Sequence, residues 1–490
     1  MPVSTTHTLY DKMKPRWDKM TDVCADEEWI HDKTTIYLSK LDGQTDDQYT
    51  AYKGRASFVP FTSRIVKGFT GMVMRKPVMV SGTDNKKVEN WLNNVDGKGS
   101  SLDLYTGKLI SEYLQYTRCG TLVEMPKTDQ VLSLADAEAN GIMPKFVFYS
   151  AYEIINWKTA VIDNTEKLTM VVLQEEIADE NEQDEFSPET TVRYRVLDLD
   201  DAGFYRQRVF DNNNNLESEI WPRMAGQMMK FIPFIIHGGV TPQFPELIGI
   251  ADLNLHHYRK DADYSHGLHF TALPTPYRIG VDPDEAPVTI GPEVAWDIEN
   301  ENAKVGMLEF SGKGLGEVAK KMEVIIEQIV MLTSRILSPQ QVSNETALGA
   351  AIRSSNETST LAGQVSILTN DLEWLFKAAM RWYGVPGYEG FTAEINKDFI
   401  PIQLSGADAM AYMTNWLKGT ISYDTLFDIY KKGELIPADR DIEDEKKAIA
   451  AEDAVRIARE VEIAEKLGKA EGDISQSEGL ADEAQDNNFK

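Results

Sequence analysis

Apolar residues recur at alternating steps of three and four along Leu315, Val318, Met322, Ile325, Ile329, Leu332 and Ile336. That is the spacing of one helix face at 3.6 residues per turn. Glu317, Lys320, Lys321, Glu323, Glu327 and Arg335 fall off the stripe. The pattern predicts a helix from Gly314 to Leu337, about 36 Å long at 1.5 Å per residue, a rod suited to a wall or strut. An earlier long helix is expected from Glu246, ending before Pro274. Between the two, Pro276, Gly280, Pro283, Pro287, Gly291 and Pro292 punctuate the strand-like runs PYRIG, PVTIG and KVGMLEF, which predicts a small β unit inserted between helices. The polar stretch LSPQQVSNETALGA follows, and then a third long helix from about Asn344 to Tyr383 through Leu361, Val365, Leu368, Leu372, Leu375 and Ala379, with Ser343 or Asn344 as its N-cap.

The same reading applied to the rest of the chain predicts a helix over Tyr10 to Trp29, broken at Pro15. A second covers Ile65 to Val73 and stops by Pro77, with Gly68 and Gly71 forming a bare strip that lets a packed neighbour approach. A third runs from Leu102 into the short strand GTLVEMP. Alternating β-branched and aromatic runs then predict a sheet: KFVFYS, EIINWK, LTMVVLQEE, TVRYRVLDL and GFYRQRVF. Between Glu175 and Glu189 lie eight acidic residues and no basic ones, which reads as a solvated hairpin tip, because the Gly and ligand order of a calcium loop is missing. FIPFIIHGG brings the chain back to the core, and TAEINKDFIPIQL gives one more strand. From Ala407 the pattern is helical with a break near Pro437, and the end of the chain decays into a disordered acidic tail.

A chain of 490 residues exceeds what one core usually supports. Its net charge of −28 excludes a generally basic surface that holds DNA by neutralising phosphates. Cys24 and Cys119 are too few for a disulfide framework or a thiolate zinc site, and read as reduced thiols. The first twenty residues lack the apolar core of a signal peptide, and no apolar run reaches the 18 to 20 residues a membrane span needs. A soluble protein with no membrane partner is expected.

Catalytic signatures are absent from the pattern. His256, His257, His266 and His269 lie near Asp261 and Asp263 on one predicted helix, but without the HExxH arrangement they read as structural or interface histidines. GKGLG at Gly312 lacks the Gly-x4-Gly-Lys-Ser/Thr order of a phosphate loop. Neither a nucleophile–base–acid order nor a dinucleotide fingerprint stands out. The expectation is a non-enzyme with no cofactor, no metal and no catalytic residue.

Taken in order, YKGRASFVPFTSRIVKGFTGMVMRKP, GTLVEMP, EIINWK, PELIGIADLNLHHYRKDADYSHGLHFTALPTPYRIG and NETA resemble a tailed-bacteriophage portal protein, of a subfamily long described as of unknown function. The resemblance implies an α+β portal-type fold: wing (1–245), first stem helix (246–273), clip (274–312), second stem helix (313–337), tunnel loop (338–349), a long helix and strand returning to the wing (350–405), a helical crown (406–470) and an acidic tail (471–490). It implies a virion ring of twelve subunits at one capsid vertex for genome packaging, retention and ejection. The implied partners are double-stranded DNA without sequence preference, the terminase large subunit, a head-tail adaptor, and capsid and scaffolding proteins. Synthesis is expected in the host cytoplasm. Lys313, Lys320, Lys321, Arg335, Gln340, Gln341, Ser343 and Asn344 become candidate DNA-channel residues. The alternatives are another head-tail component such as an adaptor, or a metal-dependent nucleic-acid enzyme built on the histidine cluster.

Overall fold

The computed structural model describes residues 2–82, 86–126, 142–162, 164–178, 190–224, 226–272, 275–280, 301–308, 312–337, 360–399, 406–433, 435–437, 440–461 and 463. Helices and strands are both abundant, so the fold class is α+β. Two compact units divide the chain at residue 399/400.

In the first unit, helix α1 (Thr8–Cys24) starts under a His7 side-chain cap and buries Met13, Trp17 and Met20. It runs through Pro15 without breaking, contrary to the sequence expectation. The carbonyl that Pro15 leaves without its amide, that of Asp11, belongs to an exposed residue and can be hydrated. Helix α2 (Glu27–Asp32), capped by Asp26, and α3 (Asp46–Lys53), closed by a Thr45–Gln48 capping box, follow. Helix α4 (Phe61–Val73) buries Val66, Phe69 and Val73. Strand β1 (Met79–Ser81) and helices α5 (Lys86–Leu92) and α6 (Leu102–Tyr116) lead into the sheets.

Strands β2 (Cys119–Glu124), β3 (Lys145–Ser150), β4 (Ile154–Ile162), β5 (Thr165–Ala178), β6 (Thr190–Leu199), β7 (Tyr205–Phe210) and β8 (Leu216–Ile220) are followed by the short pair β9 (Arg223–Met224) and β10 (Gln227–Met228), and by β11 (Phe234–His237). Strands β4 to β8 form a five-stranded antiparallel meander, and β11-β2-β3 a three-stranded sheet. Gly120 sits opposite Ile236, where a Cβ would lie 2.3 Å from the Phe234 ring, so only glycine allows that ring to cross the strand. Residues 179–189 lie outside the described part, but Glu175 does not fit a solvated tip. It accepts from the Tyr149 hydroxyl and pairs with Arg195 at 2.8 Å, within a network that also holds Glu124. The acidic run therefore begins inside a half-buried ion-pair network.

Helix α7 (Ile248–Ala272) crosses this body first and leaves it later. Asn254 accepts from the Thr62 amide and hydroxyl and donates to the Val59 carbonyl, so it caps the start of α4. Strands β12 (Thr275–Ile279) and β13 (Lys304–Leu308) form an antiparallel hairpin, and α8 (Leu315–Leu337) returns. The inserted β unit is thus present, although Pro276 lies within β12 opposite Met307 and not in a turn. Helix α9 (Thr360–Tyr383) buries the expected row from Leu361 to Ala379, with Phe376 stacked on Phe391 at 3.9 Å and Trp91 edge-on to Phe376 and Phe146. Its expected first turns and N-cap, together with residues 338–359, lie outside the described residues. Of the strand expected over TAEINKDFIPIQL, the described residues show β14 (Thr392–Glu394), paired with β1, and residues 400–404 lie outside the described part.

In the second unit, α10 (Gly406–Leu417) turns its Tyr412 and Trp416 side inward. It is followed by α11 (Tyr423–Lys432), which buries Leu426 and Phe427, and by a helix over residues 442–461. The acidic tail from 464 lies outside the described residues.

Candidate functional site

The candidate element is the antiparallel pair α7 and α8 with the β12–β13 hairpin between them. Close approach is built in where the helices meet: a Cβ on Gly267 would fall 2.5 Å from Leu315, and one on Gly312 would fall 3.3 Å from Thr271. Ile325 and Ile329 are buried, and Leu315, Val318, Met322 and Leu332 of the same stripe are half-buried. The stripe read from the sequence is therefore the face α8 turns inward.

The rest of α8 carries apolar residues that no other described residue covers. Ile326 and Val330 lie on one side of the stripe, and Val324 and Met331 on the other; Val330 is 58% exposed. Sequence reading followed the one stripe and missed these flanks, although their apolar character was in plain view. The hairpin behaves similarly. Cross-strand pairs share a face, so Tyr277, Ile279 and Leu308 expose one side while Val305 and Met307 expose the other. One contact softens this: the Tyr277 ring lies over Gly306, where a Cβ would be 2.7 Å from its hydroxyl. A two-stranded hairpin with apolar residues on both faces has little stability by itself and gains it from neighbours.

Among the candidate channel residues, Lys313, Lys320 and Lys321 are exposed. Lys320 pairs with Glu317 at 3.1 Å. Lys321 points elsewhere, close enough to His256 of α7 to help lower its pKa, after the larger effect of burial. The lysines are not one patch, because successive helical positions are turned by roughly 100°. Arg335 lies in α8, with its side chain outside the described atoms, and Gln340, Gln341, Ser343 and Asn344 lie outside the described residues altogether.

The histidines of α7 are spread over different contacts. His257 is buried edge-on against Phe61, and His266 lies edge-on to Tyr52 and Phe270. Burial lowers the pKa of both, favouring neutral rings. Asp263 accepts from the Tyr52 hydroxyl at 2.8 Å, and Asp261 accepts from the Ser57 amide. Among the described residues no group of three or more His, Cys, Asp or Glu is placed to hold a metal ion.

A different array escaped sequence reading, because its members come from four elements. The Asp371 carboxylate lies 2.9 Å from His237 Nδ1, His237 Nε2 lies 2.9 Å from the Thr121 hydroxyl, and that hydroxyl lies 2.7 Å from Tyr105. The order carboxylate, imidazole, hydroxyl is that of a nucleophilic relay. Yet His237 and Thr121 are fully buried, so no substrate reaches the hydroxyl. What the array does is tie α9 to β11, β2 and α6.

No helix among the described residues is long and apolar enough to cross a membrane. Residues 246–383 match a family described as a domain of unknown function (DUF4055). That span begins just before α7 and ends with α9, so it takes in the helix pair and hairpin. No curated protein matches the chain. Solved structures similar to it include the virion of a native gene transfer agent (GTA) particle, with 11% identity and a TM-score of 0.37, covering 80% of this chain and 94% of that one. The neck of an empty GTA particle computed with C6 symmetry matches at 11% identity and a TM-score of 0.38, covering 80% and 95%. The neck of a native GTA particle computed with C12 symmetry matches at 12% identity and a TM-score of 0.36, covering 76% and 89%. Likenesses this weak leave the functional reading to the chain's own features.

Proposed function

We propose that this chain is a phage portal protein: many copies close into a ring at one capsid vertex, and the genome is packaged, held and ejected through its bore. The observation that carries the reading is the α7–β12–β13–α8 projection, whose apolar surface lies on both flanks of α8 and both faces of its hairpin. A cyclic ring needs two different contact surfaces on each copy, one for each neighbour, and apolar flanks on opposite sides of one helix meet that requirement. In this reading 246–273 and 313–337 are the stem, 274–312 the clip that docks the terminase ATPase and later the tail adaptor, and 338–349 the tunnel loop.

The charge of the chain agrees with a conduit. DNA that must slide would be held by a wall that neutralised many phosphates, and a chain of net charge −28 is not such a wall. Lys313, Lys320, Lys321 and Arg335, with the loop residues Gln340, Gln341, Ser343 and Asn344, are the proposed transient DNA contacts. Immunogold labelling of intact particles tests the assignment. One labelled vertex per particle is expected, and label distributed over the whole shell, or confined to the tail, would overturn it. Deleting residues 338–349 is expected to leave ring assembly intact while lowering the DNA content of particles.

A further inference from the structure

The strand of sequence from Lys53 to Gly82 holds six basic residues and no acidic one, in a chain with 28 more acidic than basic residues. Arg75 and Lys76 are committed to Asp398, at 3.3 and 2.8 Å. Arg64 and Lys67 are exposed on α4, on the same face as Gly68 and Gly71, which are exposed too. A Cβ placed on either glycine would meet nothing within 4 Å. Among the described residues, therefore, none meets the sequence expectation that a neighbouring element packs on this bare strip. What remains is a flat cationic helix face with its backbone open to approach.

Immediately before this block lies its opposite. Residues 26–47 carry seven acidic residues against Lys33 and Lys40. Glu28, Asp32, Asp42 and Asp47 are exposed. Among them protrude apolar side chains: Ile36 is 67% exposed, with Trp29 and Leu41 also uncovered. Trp29 is held in place by its indole N–H on Asp22 and by Lys33 over its ring. Apolar knobs set among carboxylates suit a surface that offers a groove without side chains between cations.

We propose that the Arg64–Lys67–Gly68–Gly71 face of α4 docks the acidic 26–47 segment of a second copy of this chain, with Ile36 seated on the glycine strip and Glu28 and Asp32 facing Arg64 and Lys67. Each copy carries both halves, so the contact is heterologous and repeats around a ring. The contact gives a strongly acidic protein an attraction that offsets the repulsion between like-charged copies. It rests on the assembly of copies proposed above, and not on what passes through the ring.

Cysteine crosslinking tests it with the full chain. Ile36→Cys combined with Gly68→Cys should give a ladder of covalent dimers and higher species under mild oxidation, while either single variant stays monomeric on a denaturing gel. Arg64→Glu with Lys67→Glu should lower the assembled fraction at least tenfold near the wild-type midpoint, and adding Glu28→Lys with Asp32→Lys to the same chain should restore it. Such rescue separates docking from misfolding. Annular particles without the crosslink ladder would overturn this contact and leave the ring standing, whereas a ladder without annular particles would uphold the contact and remove the ring. Loss of duplex DNA binding in the Arg64→Glu, Lys67→Glu chain, with assembly unchanged, would make the face a nucleic-acid surface and overturn the proposal.

Discussion

The body built from α1 to β11 and α9 and the projection built from the end of α7, the hairpin and α8 use apolar residues in opposite ways. In the body Trp17, Trp91, Leu109, Leu173, Leu372 and Phe376 are fully buried, and rings meet edge to face. Among the described residues of the projection only Ile325 and Ile329 of the hairpin and α8 are buried, while five apolar side chains of the hairpin and four of α8 are exposed. The body is stabilised by contacts within one chain. The projection leaves its apolar surface uncovered by the other described residues, and in the proposed ring neighbouring copies would cover it. Helix α7 joins the two regimes: it is packed through Ala262, then exposes Leu268 and Phe270.

The contrast can be broken from either side, and the largest effect is expected in the body. Phe376→Ala leaves a cavity between Trp91 and Phe391 and should cost about 3 to 5 kcal/mol of unfolding free energy in urea titration. A loss under 1 kcal/mol would mean the body is not packed as described.

Next comes Glu112 of α6. Burial, and secondarily Glu153, pushes its carboxyl up to about 7, and one carboxylate oxygen has no hydrogen-bond partner among the described residues. A raised folded pKa means that its contribution is intact below about pH 4.5 and is lost as pH rises toward 7, because the unfolded chain ionises first. Glu112→Gln should therefore add roughly 2 to 3 kcal/mol at pH 8 and little at pH 4. Equal effects at both values would contradict the burial of this group.

In the projection the balance reverses. Ile326→Asp with Val330→Asp should change the stability of the isolated chain by no more than about 0.5 kcal/mol, since both sites are already exposed. The same pair should abolish assembly, as read by sedimentation. Lys320→Gln removes a surface ion pair and should be smallest of all, within about 0.5 kcal/mol by thermal melting.

The regular elements were legible because their periodicity is local. The stripes of α8 and α9 appear as spaced, and KFVFYS is strand β3 residue for residue. Long-range terms were not legible. Nothing near Pro15 in sequence shows that its turn faces water, and nothing near Glu175 shows that Arg195 and Tyr149 will enclose it. The His237 array joins residues more than a hundred positions apart. Of the candidate channel residues, the lysines of α8 could be placed on a helix from sequence. Which of them face outward depends on the packing of α7, which no single stripe encodes.

Mass photometry of the purified full chain, with negative-stain images of the same sample, tests the central claim most directly. The account predicts one discrete species whose mass is a whole multiple of 55.1 kDa, seen as a ring with an open centre. A species that stays at 55.1 kDa across salt and protein concentration would contradict it.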